Sequence, residues 1–408
     1  MQLPVILKAL QRHKITVAIL LLEFAITFAL LSNASILVWQ RFSALRTISG
    51  VQEQGLLVAN LIAATPGAAP PTADKLSGAS AAIERIRGVR AVSVMTQTPF
   101  SGVESLLGRV AQTPGAGSPA HEIAVYLGDQ KMLAVLESHL VAGRWFSADE
   151  YSRPAEMPAA AELHLVILTR HLANKLFPQD DPLGKTIYSR NRPMVIIGLL
   201  DHLARPAYQG ADLTDDAAIF PVVPPPIMSG TIAIRLDPAA LSDAEQTAKS
   251  IETVLNEAFK GSQSWQVLTY KQQRDAHFAA DRGAFRIMLF LLAGLLVVAV
   301  NAVAGLSFYW VNQRATHVAT RRALGALRRE VIQFFLLENL AICIAGVVLG
   351  GALTMAINTW AVIHFNAARM PVIPLLLGFA LATLAGQCAV AYPAWRIGSV
   401  APAMAARM

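Results

Sequence analysis

Charge and cysteine are what this sequence has least of. Only 15 % of its 408 residues are Asp, Glu, Lys or Arg, where an ordinary soluble domain has roughly a quarter. Such a deficit argues against a chain bathed in water over its whole surface. Its two cysteines, Cys343 and Cys388, both fall inside long apolar runs. The stretch from residue 40 to 284 therefore has no disulfide staple and no thiolate metal site, and the two thiols are expected to be small packing residues. Catalytic signatures are missing as well. There is no Gly-x-Ser-x-Gly elbow, and His164 and His171 stand seven apart across a strand-to-helix transition, a spacing that suits packing better than metal ligation. Pro182–Thr186 ends in the Gly-Lys-Thr of a phosphate-binding loop. The first glycine of that loop would be residue 179, which is Gln179, and Pro182 interrupts it. Neither an enzyme nor a nucleotide site is expected.

What is abundant is apolar sequence, 54 % of the chain. It gathers into four runs at about residues 15–38, 285–309, 336–360 and 372–395, each near the ~20 residues a helix needs to cross a bilayer. Lys8, Arg12 and Lys14 precede the first run, which is too long for a signal peptide and lacks a small-x-small cleavage site; it reads as a retained anchor. Basic residues beside spans stay in the cytoplasm. The N-terminus is thus expected inside, residues 40–284 outside, and Arg396 and Arg407 inside, giving a one-plus-three topology. These juxtamembrane clusters account for much of the net charge of +7 and point to anionic lipid rather than nucleic acid.

Between the second and third runs lies the most informative segment, residues 312–330. Arg314, Arg321, Arg322, Arg328 and Arg329 face a single acid, Glu330. Val318, Leu324 and Leu327 interrupt the charges at helical spacing, so a short amphipathic helix able to dock on a cytoplasmic partner is expected.

The outer segment alternates helix and strand patterns. Residues 89–95, 122–127, 163–168 and 194–199 read as strands, and 73–86, 170–176 and 239–259 as helices. Loops rich in Pro and Gly occur at 65–71, 113–119 and 221–226. Residues 40–59 and 264–284 are helix-compatible and are expected to extend the first two spans as a stalk. The fold class is therefore an α-helical integral membrane protein with four transmembrane helices and a large α+β extracytoplasmic domain.

Inside the spans, Gly346 and Gly350 form a small-xxx-small pair, for which packing within the third-to-fourth hairpin is favoured over contact between subunits. Glu23, Asn301 and Glu338 are polar groups at membrane depth, where such groups face protein or water. For Glu338 a structural partner or solvation is favoured. Glu23 stands evenly between a helix-helix hydrogen bond and a role in coupling.

Two segments carry a resemblance. Arg314-Ala-Thr-His-Val-Ala-Thr-Arg-Arg-Ala-Leu-Gly-Ala-Leu-Arg-Arg-Glu-Val-Ile332 resembles the FtsX-like permease signature, approximately E-R-x-x-E-I-x-x-x-R-A-L-G-A-x-x-x-x-I. Val141-Ala-Gly-Arg-Trp-Phe146, Val166–Phe177 and Asp181-Pro-Leu-Gly-Lys-Thr-Ile187 are similar to the periplasmic core domain of MacB-type permeases. The resemblance implies three regions: 1–39 with the first span, 40–284 as a periplasmic core domain, and 285–408 as an FtsX-like permease domain. It also implies a type VII ABC permease of the bacterial inner membrane with both termini cytoplasmic. The chain would have no cofactor of its own, since ATP is bound by a separate ATPase subunit. A second permease copy or paralogue is a further partner, and a periplasmic adaptor and outer-membrane channel are possible ones. Arg321, Arg322, Ala323, Leu324, Gly325 and Ala326 would form the ATPase-coupling helix, although Gln313 and His317 replace acids usual in the family. The implied function is export by mechanotransmission. Regulation of a cell-wall hydrolase and extraction of lipoproteins are the alternatives within the same superfamily.

Overall fold

Alternating apolar residues set the first sheet. Along β1 (Leu56–Ala64), Leu57 and Ala59 point to one side and Leu56 and Val58 to the other, and all four are buried. The computed structural model describes residues 14–64, 71–102, 104–115, 118–153, 164–207, 215–228, 230–313, 327–365 and 372–398. It divides into two compact units, Ser43–Ala280 and Met1–Phe42 with Asp281–Met408.

In the first unit β1 is followed by α2 (Ala73–Glu84), capped by the Thr72 hydroxyl accepting from the Lys75 amide, and by β2 (Val89–Met95). The pattern returns after a long insertion with β10 (Thr231–Leu236), α5 (Ala244–Ala258) and β11 (Gln263–Thr269). The four strands pair antiparallel in the order β11-β1-β10-β2, a split β-α-β arrangement of the ferredoxin-like kind. Ile83 of α2 and Ile251 and Leu255 of α5 pack on Leu57, Ala59, Ile232 and Ile234. The outer edge of β11 is closed by α5: Asn256 bonds both the amide and the carbonyl of Trp265 (2.8 and 3.0 Å), and Glu252 accepts from the Val267 amide (2.9 Å). An edge occupied in this way offers no template for another strand.

The insertion builds a second sheet from β3 (Leu107–Ala111), β4 (Ala120–Leu127), β5 (Leu140–Gly143), β6 (Leu165–Thr169), β7 (Thr186–Ser189), β8 (Arg192–Leu200) and β9 (Ala217–Phe220), ordered β5-β8-β6-β9-β4-β3-β7. β7 also pairs with β8, so six of the strands close into a ring. Val166 and Leu168 on one side of β6 join Leu172 and Leu176 of α4 (Arg170–Leu176). Ile167 on the other side joins Val58, Met95, Tyr126 and Ala233, and with α3 (Met132–Leu136) this cluster fuses the two sheets. Arg235 of β10 is buried in the seam and donates to the carbonyls of Val135, Gln54 and Gln52 at 2.8, 2.8 and 2.9 Å.

The expected stalk needs correction here. The stalk segments are not continuous helix: α1 (Lys14–Leu45) stops at Leu45, residues 46–55 form turns that lead into β1, and β11 opens the second segment ahead of α6 (Tyr270–His277). Residues 56–59 are apolar and buried on both faces of the sheet, which removes the alternation that would have marked a strand. The two ends of the unit are nonetheless held together. Arg274 of α6 donates to the Thr47 carbonyl (2.7 Å), pairs with Glu53, and lies over Phe100 and Phe278.

The segments that suggested a family are folding elements. Gly143 has φ +76°, and a Cβ there would collide with the Ile197 carbonyl. Next to it Arg144 makes two hydrogen bonds to Glu150 (2.8 and 2.6 Å), whose carboxylate also accepts from the Ser147 amide. Arg144 holds the Glu150 carboxyl down to about 2 from an ordinary 4.5. Its contribution to stability is therefore complete above pH 4.5 and is lost as pH falls through about 2. Glu150→Gln is expected to make unfolding less acid-sensitive between pH 6 and pH 3. Solvent screening limits the effect to on the order of 1 kcal/mol, readable from denaturant midpoints at the two pH values.

Candidate functional site: the membrane helices

Four described helices are long and apolar enough to cross a membrane: Val17–Leu45, Ala279–Tyr309, Arg328–Trp360 and Val372–Arg396. They belong to α1, α7 (Ala279–Gln313), α8 (Arg328–Phe365) and α9 (Val372–Gly398). Together with the α/β unit they make a membrane protein with a large extracytoplasmic domain.

Leu20, Phe24, Phe28 and Leu31 recur along one stripe of α1 and are at most 2 % exposed. Glycines of two other helices receive this stripe. A Cβ added at Gly346 would lie 2.5 Å from the Phe24 Cβ, and one at Gly350 would lie 2.5 Å from the Ala25 carbonyl oxygen. On α9, Gly386 abuts the Phe24 ring and Gly378 abuts Ser32. The Gly346/Gly350 pair thus faces α1 and not the hairpin partner α9. Small residues do what membrane packing requires, which is to let backbones approach, but the partner is set by tertiary structure. Gly378, Ala382 and Gly386 are themselves spaced as small-xxx-small, a signal that the sequence carries and that sequence reasoning passed over.

At one end of α1 and α7, Arg41 pairs with Asp281 at 2.6 Å, and the Phe42 ring lies 6.1 Å from that of Phe285 in a tilted pair. At the other end of the unit, Arg328 lies over Trp395 and Arg396 over Phe308, at 5.1 and 5.7 Å. Of the arginine-rich segment, Leu327 to Glu330 are described. The Glu330 carboxylate accepts from the Leu327 amide (3.0 Å) and so caps the start of α8. Arg321, Arg322, Ala323, Leu324, Gly325 and Ala326 lie outside the described residues.

The polar residues of the spans have separate settings. Asn301 donates to the Val297 carbonyl one turn back (2.8 Å). Glu338 is 2 % exposed and borders a cavity of about 20 Å³ with Ser307 and Asn339, room for one water. Asn339 donates to the Gly386 carbonyl at 3.1 Å. Glu23 lies on the α7-facing side of α1 in an apolar groove.

No group of three or more metal-ligating side chains occurs among the described residues. His171 is taken up by Asp216 (2.9 Å), which also accepts from Lys175 (2.7 Å), and His202 by the neighbouring Asp215 (2.8 Å). Burial raises the Asp215 carboxyl above its ordinary range, against the pull of the Leu203 amide and His202. The Gly184-Lys185-Thr186 segment cradles nothing: the Gly184 amide donates to Ile196, the Lys185 amide to Pro182, and the Lys185 ammonium to Asp180 (2.6 Å) over the Phe177 ring.

Comparison with known proteins bears on both units. A family model described as MacB-like periplasmic core domain matches residues 24–254, and one described as FtsX-like permease C-terminal matches residues 289–402. The macrolide export ATP-binding/permease protein MacB of Neisseria meningitidis is 25 % identical over 224 residues, 54 % of this chain and 33 % of that protein. The ABC transporter permease YknZ of Bacillus subtilis is 22 % identical over 207 residues, 48 % of this chain and 50 % of YknZ. The chain thus spans about a third of the length of the MacB relative and half of YknZ. The crystal structure of the periplasmic region of MacB from Actinobacillus actinomycetemcomitans covers 56 % of this chain and 94 % of its own, at 14 % identity and a TM-score of 0.37.

Proposed function

The chain belongs to the MacB/FtsX-type ABC permeases, and from that premise we propose that it is the membrane subunit of an exporter driven by a separate ABC ATPase. ATP hydrolysis in the partner moves the arginine-rich segment between α7 and α8, and the helices pass that motion to the extracytoplasmic domain, where substrate is handled. The permease works as a dimer with a second copy or a paralogue, and an adaptor and outer-membrane channel carry substrate onward. Both termini and the arginine-rich segment are cytoplasmic, in keeping with the positive charge beside the spans. The observation that carries this reading is the MacB-like core domain lying between the first two membrane helices of an FtsX-like permease.

Gly325→Asp tests the coupling. The variant is expected to insert and to keep its ATPase partner, while ATP no longer changes the distance between spin labels at Lys249→Cys in a dimer whose Cys343 and Cys388 are alanine. An ATP-dependent distance change equal to the parent's would remove Gly325 from the coupling path.

A further inference from the structure

Glu23 lies about 12 Å along the helix axis from Ile15, at 1.5 Å per residue, and among the described residues its carboxyl has no hydrogen-bond or ion-pair partner. An ionisable group at such depth is costly unless something meets it. It borders a groove of about 520 Å³ between α1 and α7, whose walls include Ile19 and Ile26 on one side and Leu295, Val298 and Ala302 on the other. Apart from Glu23 and Thr27 the lining is apolar, and the volume falls in the ~300–1,000 Å³ range of small-molecule sites, which combine apolar walls with a few placed polar groups. The facing stretch of α7 offers the carboxyl no donor, since it contributes Leu, Val and Ala alone. A second copy presenting the same face would bring a second Glu23 and hence like charge, and a lipid tail brings no charge at all.

We propose that this groove binds an amphiphile bearing one cationic nitrogen, with the cation against the Glu23 carboxylate and the apolar body between Ile26 and Val298. Binding needs neither ATP nor an ATPase, so its test is separate from that of the coupling proposed above.

The test places the full chain in phosphatidylcholine nanodiscs with two photoactivatable dodecyl probes, one ending in trimethylammonium and the other in its neutral tert-butyl isostere, at equal bilayer concentration. The cationic probe is expected to label peptides containing residues 19–31 and 295–306 on the order of tenfold more than the neutral one, through the Coulomb attraction of its charge to the carboxylate. Glu23→Gln is expected to bring the cation down to the neutral level. Ala302→Trp, which fills the groove from the opposite wall, is expected to suppress labelling by both probes and keeps the test decisive if the α1 variant misfolds. Equal labelling of the parent by both probes, full retention in Glu23→Gln, or label lying only between two cross-linked copies would overturn the proposal.

Discussion

Gly350→Leu is expected to abolish the folded membrane unit, whereas Gly351→Leu, one residue on, is expected to leave it intact. At Gly350 the first side-chain carbon would sit 2.5 Å from the carbonyl oxygen and 3.0 Å from the Cα of Ala25. The obstruction is backbone, which has no rotamer to escape into, so α1 and α8 must separate. Lipid tails are as apolar as the side chains, and close packing is a main force holding such helices together. Separation would also unseat Phe24 and Phe28, which are buried against the same surface. Overpacking a well-filled core costs roughly 1–3 kcal/mol where side chains can shift, and a backbone clash belongs at or above the top of that range. At Gly351 the nearest atom to an added Cβ is the Phe28 ring at 3.6 Å, an ordinary contact. Size-exclusion profiles in mild detergent, followed over a temperature ramp, distinguish the two. Equal behaviour of the two variants would mean that α1 does not pack on Gly350.

Arg235→Met is expected to destabilise the extracytoplasmic domain by about 3 kcal/mol, the cost of losing hydrogen bonds from a charged donor to backbone carbonyls. That is a large part of the ~5–15 kcal/mol that holds a typical domain folded. The Arg235 side chain is 2 % exposed and gives one donor each to Val135, Gln54 and Gln52, so its loss removes three hydrogen bonds at once and leaves the buried Val135 carbonyl without that donor. Burial lowers the guanidinium pKa from its ordinary value, opposed by the nearby Glu137 carboxylate. Arginine nevertheless stays charged at neutral pH, so the effect should be flat from pH 6 to 9. Lysine is expected to recover little, because a point ammonium cannot span three carbonyls held in a planar fork. Proteolysis of the full chain in increasing urea, read on fragments from residues 43–280, measures the loss. A shift under ~1 kcal/mol in Arg235→Met would show that water replaces the guanidinium without cost.

The membrane spans were the most legible part of the sequence because a bilayer imposes one simple demand, some 20 apolar residues in a row. Gly346 and Gly350 were legible as a packing face, but their partner was not, since a small-xxx-small stripe says that a helix comes close without saying which one. In the outer domain the strands at 89–95, 122–127, 163–168 and 194–199 and the helices at 73–86 and 170–176 correspond to elements of the structure. β5, β7 and β9 are four residues each, too short to show a period. β1 is buried on both faces over residues 56–59, so the alternation that marks a half-buried strand is missing there. Arg205, fully buried between Glu104 and Glu122, was invisible as a core residue because the sequence places it among loop residues far from both acids.

The most direct measurement is isolation of the tagged chain from its native membrane in nanodiscs, with mass spectrometry of everything that accompanies it. The predicted result is a stoichiometric ABC ATPase subunit together with a second permease polypeptide. Recovery of the folded, inserted chain with no ATPase would contradict a permease driven by ATP.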